Sequence, residues 1–165
     1  RVGAGRFRRP TGRVNLAAIV KTTIAQLQDS EAVRPKDIVA KLGRGPQPIL
    51  GDEAQLGQLA HNIISNAMKY GRPGTPVTVE LAREGQRVRL SVSDEGEGIA
   101  PDHLPRLTER FYRVDEARSR SVGGTGLGLA IVKHISERHQ GQLDIESELG
   151  KGTRVSVTFP LTVGA

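Results

Sequence analysis

The spacing of apolar residues changes several times along the chain, and each change marks an element. Leu16, Ile19, Val20, Ile24 and Leu27 form one stripe at helical spacing behind Asn15, a good N-cap, which predicts a helix to about residue 27. The segment DEAQLGQLAHNIISNAMKYG has the clearest helical period, with Asp52 as N-cap and Gly71 as stop. TPVTVELAREGQRVRLSVSDEG alternates with period two about a glycine-containing turn and predicts a hairpin; GQLDIESELGKGTRVSVTFP predicts a closing one. DIVAKLG and QPIL read as short strands, broken by Gly43, Gly45, Pro46 and Pro48. A further helix is predicted from Leu127 to His139. Residues 96–126 show little periodicity and much Gly, Pro, Arg and Ser, the pattern of a long functional or mobile loop. Residues 1–13 read as an irregular lead-in.

Composition narrows the picture. A chain of 165 residues with 36% hydrophobic content fits one domain with its own core, and with no Trp that core is expected to be aliphatic. The absence of Cys excludes disulfides and thiolate chemistry. There is no apolar run of about 18 residues, as a spanning helix needs, and no signal-peptide pattern. The net charge of +6 favours phosphate-bearing partners. Arg1, Arg6, Arg8, Arg9 and Arg13 carry part of it; with only Phe7 beside them for stacking, they read as a solvated tail rather than a nucleic-acid arm.

Four stretches carry candidate chemistry. Gly123, Gly124, Gly126 and Gly128 precede a helix, where free N–H groups and the positive dipole end suit phosphate. The stretch is neither a P-loop nor a dinucleotide fingerprint, and standing alone it reads equally well as a linker and cap. On the helix of HNIISNAMKY, Asn62, Asn66 and Lys69 share an arc of roughly 60° beside the apolar face. Amide oxygens suit Mg²⁺, Lys69 suits phosphate and Tyr70 suits a base, although for this piece alone an amphipathic helix with polar flanks is the better reading. In SDEGEGI, Asp94 ends a predicted strand, where its carboxylate suits an exocyclic amine, and Gly96 and Gly98 let the backbone approach a flat ligand; the plain reading is a turn. In ELGKGTRVSV, Gly150 and Gly152 flank Lys151 in a hairpin turn and Thr153 offers a hydroxyl to the same ligand.

The order of these pieces is more specific than any one of them. NIISNAMKY, DEGEG, ERFYR, GGTGLGLAIVKH and GKGT, in that sequence over roughly residues 14–160, closely resemble the ATP-binding catalytic domain of sensor histidine kinases. LTERFYRVDEARSRSVGGTGLGLAIVKH is most similar to the phosphate-regulon branch. The resemblance implies an α+β fold, a two-layer α/β sandwich with a mixed sheet of about five strands against three helices and a mobile ATP lid, the Bergerat ATP-binding fold. It implies ATP and Mg²⁺ as ligands, with Asn66 on Mg²⁺, Asn62 one turn away near the phosphates and a possible second metal contact, Lys69 on phosphate and Tyr70 stacked on adenine. Asp94 would take the adenine amine, Gly96, Gly98 and Ile99 would shape its pocket, and Thr153 would sit at the adenine edge. Gly124, Thr125, Gly126 and Gly128 would close on the phosphates, with Leu127 and Leu129 anchoring the helix. Arg110, Arg113, Arg118 and Arg120 lie in or near the lid, and the resemblance does not choose which of them meets the γ-phosphate. Thr108 stands where many relatives carry a Phe in the lid segment, which implies weaker lid packing without loss of nucleotide binding.

Gyrase-type, Hsp90-type and mismatch-repair ATPases, and serine kinases of the same fold, resemble this chain too, but carry a Glu base where Asn62 stands. An amide takes no proton at neutral pH, so a histidine acceptor, which brings its own lone pair, is favoured. His61, His103, His134 and His139 lie in no segment like the family's acceptor hairpin. RVGAGRF resembles the tail end of that hairpin, which implies that residues 1–13 are the tail of a dimerisation hairpin and 14–162 a catalytic domain. The implied partners are a histidine-bearing dimerisation domain of the same protein, a homodimer in the parent, and a cognate response regulator, on the cytosolic side of a membrane-anchored kinase. The alternatives are a degenerate adenine-nucleotide-binding signalling module, or a serine kinase or ATPase relative.

Overall fold

The computed structural model describes residues 10–29, 38–72, 74–101, 103–104 and 128–162. Three helices lie against a five-stranded mixed sheet. Strand β1 (Arg13–Asn15) leads into α1 (Leu16–Gln28), followed by β2 (Ile38–Lys41) and β3 (Pro48–Leu50). Helix α2 (Glu53–Tyr70) then precedes the hairpin of β4 (Val77–Glu84) and β5 (Arg87–Asp94). Helix α3 (Gly128–Arg138) and the hairpin of β6 (Gln142–Glu148) and β7 (Gly152–Pro160) complete the chain. The sheet order is β2-β4-β5-β7-β6, with β2 parallel to β4 and the other pairs antiparallel.

The predicted caps act as expected at both helix starts. Asn15 accepts from Ala17 N–H at 3.1 Å and also from Gln47 N–H at 2.9 Å, so one side chain starts α1 and holds the segment before β3. Asp52 accepts from Gln55 N–H at 3.0 Å at the start of α2. Helix α2 keeps an interior glycine, Gly57, at a cost of about 1 kcal/mol relative to Ala. That cost is outweighed by burial of Leu56, Leu59, Ile63 and Ile64, worth about 1.5–3 kcal/mol each.

Two features differ from the sequence reading. β1 begins at Arg13, the last residue of the predicted lead-in, and pairs with β3 in a separate two-stranded sheet, Val14 opposite Ile49. A three-residue strand with one apolar residue is too short to show a period. Gly71 does end α2, but with extended backbone (φ −70°, ψ 153°) rather than a left-handed cap.

The core forms where α2 meets β4 and β5 and where α3 meets β6. Strand register arranges it in rows on the helix-facing side of the sheet. Leu81, Leu90, Val157 and Leu143 make one row, and Val79, Val92, Val155 and Ile145 the next. By strand alternation the following row is Asp94, Thr153 and Ser147. The same face that is apolar in mid-sheet thus turns polar at its end.

Candidate functional site

The polar row meets the last turn of α2. Gly71 pairs with Gly96 in an isolated antiparallel bridge, which draws the loop after β5 against the helix end. The approach leaves no room for a side chain: a Cβ on Gly96 would collide with the Tyr70 carbonyl oxygen. At Gly98 the backbone is left-handed (φ +78°), and a Cβ there would strike the Glu148 carbonyl oxygen. DEGEG is therefore wedged between the end of α2 and the turn joining β6 to β7. The backbone bond from Gly150 N–H to Glu97 O (2.7 Å) and the side-chain bond from Arg72 Nη2 to Gly150 O (3.0 Å) close the other side.

Within this frame the side chains are oriented. Asp94 is half-buried and its Oδ1 accepts from Gly96 N–H at 2.9 Å. Thr153, its direct cross-strand partner, lies with its Oγ1 2.8 Å from Ser147 Oγ. Ser147 Oγ also accepts from Ile99 N–H at 2.8 Å and donates to Gly152 O at 3.0 Å. Asp94, Gly96, Gly98, Ile99 and Thr153, all singled out from the sequence, are brought together here. Ser147 was not. Its only sequence signal is the alternation of LDIESE, which puts it on the face of Leu143 and Ile145.

On α2, Asn62, Asn66 and Tyr70 are half-buried and Lys69 is exposed. Spacings of four and three place Asn62, Asn66 and Lys69 on one side of the helix, leading to its Gly71 end. Among the described residues, the side-chain amides of Asn62 and Asn66 and the Lys69 ammonium have no hydrogen-bond or ion-pair partner. Gly128 is the first residue of α3, and half-buried Leu129 packs on the core. Arg110, Arg113, Arg118, Arg120, Gly124, Thr125, Gly126 and Leu127 lie outside the described residues, as does Thr108.

The histidines divide by burial. His61 and His134 are exposed and His103 is half-buried, whereas His139 is 4% exposed. His139 Nε2 accepts from Asp52 N–H at 3.0 Å, which puts the ring proton on Nδ1, 2.8 Å from Ile135 O. The ring meets Phe159 edge-on at 6.3 Å. Burial lowers its pKa below the ordinary value, outweighing the Ile135 carbonyl bond. It ties the end of α3 to the start of α2, at the far end of α2 from Asp94.

The family model for histidine kinase-, DNA gyrase B- and HSP90-like ATPases matches residues 51–163. The phosphate regulon sensor protein PhoR of Pseudomonas aeruginosa is 48% identical over 109 residues, covering 66% of this chain and 25% of the relative. The mycobacterial sensor histidine kinase MprB superposes with a TM-score of 0.78 at 30% identity, covering 91% of this chain and 98% of that one. Full-length ShkA in complex with AMPPNP superposes at 0.76 with 31% identity, covering 100% of this chain and 34% of that one. The chain spans about a quarter to a third of the length of the curated relatives it matches.

Proposed function

Because the chain belongs to the histidine kinase-, DNA gyrase B- and HSP90-like ATPase family, as an ATP-binding catalytic domain of the sensor histidine kinase kind, we propose that it holds ATP with Mg²⁺ and presents the γ-phosphate to a histidine on a separate dimerisation domain. The carrying observation is the pinning of the Asp94–Thr153 row to the end of α2 through the Gly71–Gly96 bridge. It fixes a base-binding carboxylate relative to the amides and the cation of the same helix.

Adenine would then lie at Asp94, Gly96, Gly98, Ile99 and Thr153, with Tyr70 against its face. The phosphates would run along α2 past Lys69, Asn66 and Asn62 towards Gly124, Thr125, Gly126 and Gly128, with Leu127 and Leu129 seating the helix behind them. Arg110 and Arg113 would bring further positive charge. The donor set fits Mg²⁺. No cluster of three His, Asp or Glu exists among the described residues, and the unengaged oxygens of Asn66 and Asn62 are hard ligands of the kind Mg²⁺ combines with water and phosphate. Bound Mg²⁺ supplies charge neutralisation at the phosphate oxygens.

The chain's own residues contribute position and charge rather than a base. Asn62 takes no proton, so the attacking group must carry its own lone pair, as a neutral imidazole does. Phosphoryl transfer asks mainly for alignment and electrostatic stabilisation, which Lys69 and the α2 amides can give. In the parent, residues 14–162 would be the catalytic domain and 1–13 the end of the acceptor hairpin. A response regulator would receive the phosphoryl group, and the domain would face the cytosol. Among the described residues no helix is long and apolar enough to cross a membrane.

The test is titration calorimetry with a non-hydrolysable ATP analogue, with and without Mg²⁺, on the wild type and Asp94→Asn. Loss of a charged hydrogen bond costs about 1.5–3 kcal/mol, so affinity should fall roughly 10- to 150-fold. Equal binding by both proteins, or none by either, defeats the reading. Steady ATP turnover by the isolated chain would turn it towards an ATPase.

A further inference from the structure

Ser147 sits beside the proposed base site, and its hydroxyl has three partners. A serine hydroxyl has one proton and two lone pairs. Ile99 N–H, at 2.8 Å, takes one lone pair. Gly152 O, at 3.0 Å, can only accept, so it takes the proton. One lone pair then remains for Thr153 Oγ1 at 2.8 Å, and Thr153 must be the donor in that bond. The reverse arrangement, with Ser147 donating to Thr153, would forfeit the bond to Gly152 O. Full satisfaction of the hydroxyl therefore commits the proton of Thr153 to Ser147 and leaves Thr153 only lone pairs for any other partner.

Thr153 is the direct cross-strand partner of Asp94, whose carboxylate is an acceptor with Oδ1 oriented by Gly96 N–H at 2.9 Å. We propose that Ser147 is a positioning residue for base selection: by consuming the Thr153 proton it makes the Asp94–Thr153 row acceptor-only, so that the site selects a purine bearing an exocyclic amine over one bearing a carbonyl in its place. This rests on the reading that the row meets the base. An amine brings two N–H donors to the two acceptors. A carbonyl brings lone pairs against lone pairs, and Thr153 has no proton free to relieve the mismatch.

The experiment uses the whole chain and two nucleotides, adenosine and inosine diphosphate, titrated with Mg²⁺ present. They differ at that group and at the adjacent N1, which carries a proton only in inosine; this second difference is common to all the proteins and cancels when their affinity ratios are compared. The proteins are the wild type, Ser147→Ala, Thr153→Val, the double variant and Ser147→Thr. In Ser147→Ala the Thr153 hydroxyl is released and can donate to the carbonyl. The adenosine-to-inosine affinity ratio should fall about threefold to tenfold, as for one neutral hydrogen bond, chiefly through tighter inosine binding. In the Thr153→Val background, Ser147→Ala should leave the ratio unchanged, and Ser147→Thr, which keeps the hydroxyl, should preserve it.

Equal weakening of both nucleotides by Ser147→Ala would overturn the proposal, because Ser147 would then only be bracing the Ile99 loop. An effect that persists without the Thr153 hydroxyl, or a ratio lost in Ser147→Thr, would overturn it too. Melting curves without nucleotide establish that each variant is folded. A wild type that binds both nucleotides equally refutes base selection by this row while leaving nucleotide binding intact; one that binds neither refutes the functional reading itself.

Discussion

His139 couples the fold to pH in a way that can be worked through. Replacing it with Leu fills the site between α3 and α2 but removes the acceptor for Asp52 N–H at 3.0 Å. The Ile135 carbonyl keeps a second donor, the backbone N–H of His139 at 3.2 Å, so the cost centres on the Asp52 amide. An unsatisfied, partly buried N–H costs about 1–3 kcal/mol. For a chain of this size that lowers the melting temperature by about 3–10 °C. The wild-type interaction needs a neutral ring, because Nε2 accepts. Burial, with a smaller contribution from Arg138, holds the folded pKa below the ordinary 6.5, against the opposing pull of the Ile135 carbonyl and Asp52.

Unfolding therefore takes up a proton as pH falls below 6.5. The stability His139 contributes is complete above that pH and is lost as pH falls towards the folded pKa. The assay is urea unfolding at a series of pH values between about 8 and 5 on the wild type, His139→Leu and His139→Gln; other titrating groups cancel in the differences. The gap between wild type and His139→Leu should be widest at the alkaline end and shrink below pH 6.5. His139→Gln, which offers a non-titrating acceptor, should follow the flatter profile of the Leu variant with a smaller loss at neutral pH. Parallel profiles for all three proteins would refute the argument.

Gly96→Ala drives a methyl group into the Tyr70 carbonyl oxygen, a backbone atom that cannot swing away. It should destabilise by about 1–3 kcal/mol or more and abolish nucleotide binding, read by melting and by titration calorimetry. Gly57→Ala meets nothing within 4 Å inside α2 and should stabilise by about 0.5–1 kcal/mol with binding unchanged; a lower melting temperature would show that the position is not the open helix surface it looks.

The elements with the strongest local signals were legible. Helix α2 carries its own cap and period, and β4, β5, β6 and β7 carry their own alternation, so they were readable without any partner. What escaped depends on distant partners. The pairing of β1 with β3 and of β2 with β4 joins segments whose patterns contain no mutual reference. Nothing in the sequence around His139 points to its partner, Asp52, which lies 87 residues away. Gly71 read as a stop for its freedom at positive φ, yet it stops α2 in extended form so that Gly96 can pair with it. Ser147 looked like any strand serine; its three partners arise from two turns meeting across a hairpin. That Asp94, Gly96 and Gly98 form a tight turn at a strand end was legible because Asp and Gly there are turn formers. The residues expected to form the lid, Arg110 and Arg113 among them, lie outside the described residues.

The continuity of the apolar rows into Asp94, Thr153 and Ser147 bears on how such a chain can vary in length. Each residue in β5, β6 and β7 is counted from the packed centre of the sheet, so the strands act as rulers whose last division is the polar row of Asp94, Thr153 and Ser147. One residue inserted or deleted between Val92 and Asp94 would turn the carboxylate to the opposite face while the core stayed filled. Such a protein would keep its packed rows and yet, on the proposed function, lose the carboxylate from the base site. A length change at this end of β5 would thus spare the packed rows and, on the proposed function, cost base binding, whereas one in mid-strand would turn the apolar rows out of the core.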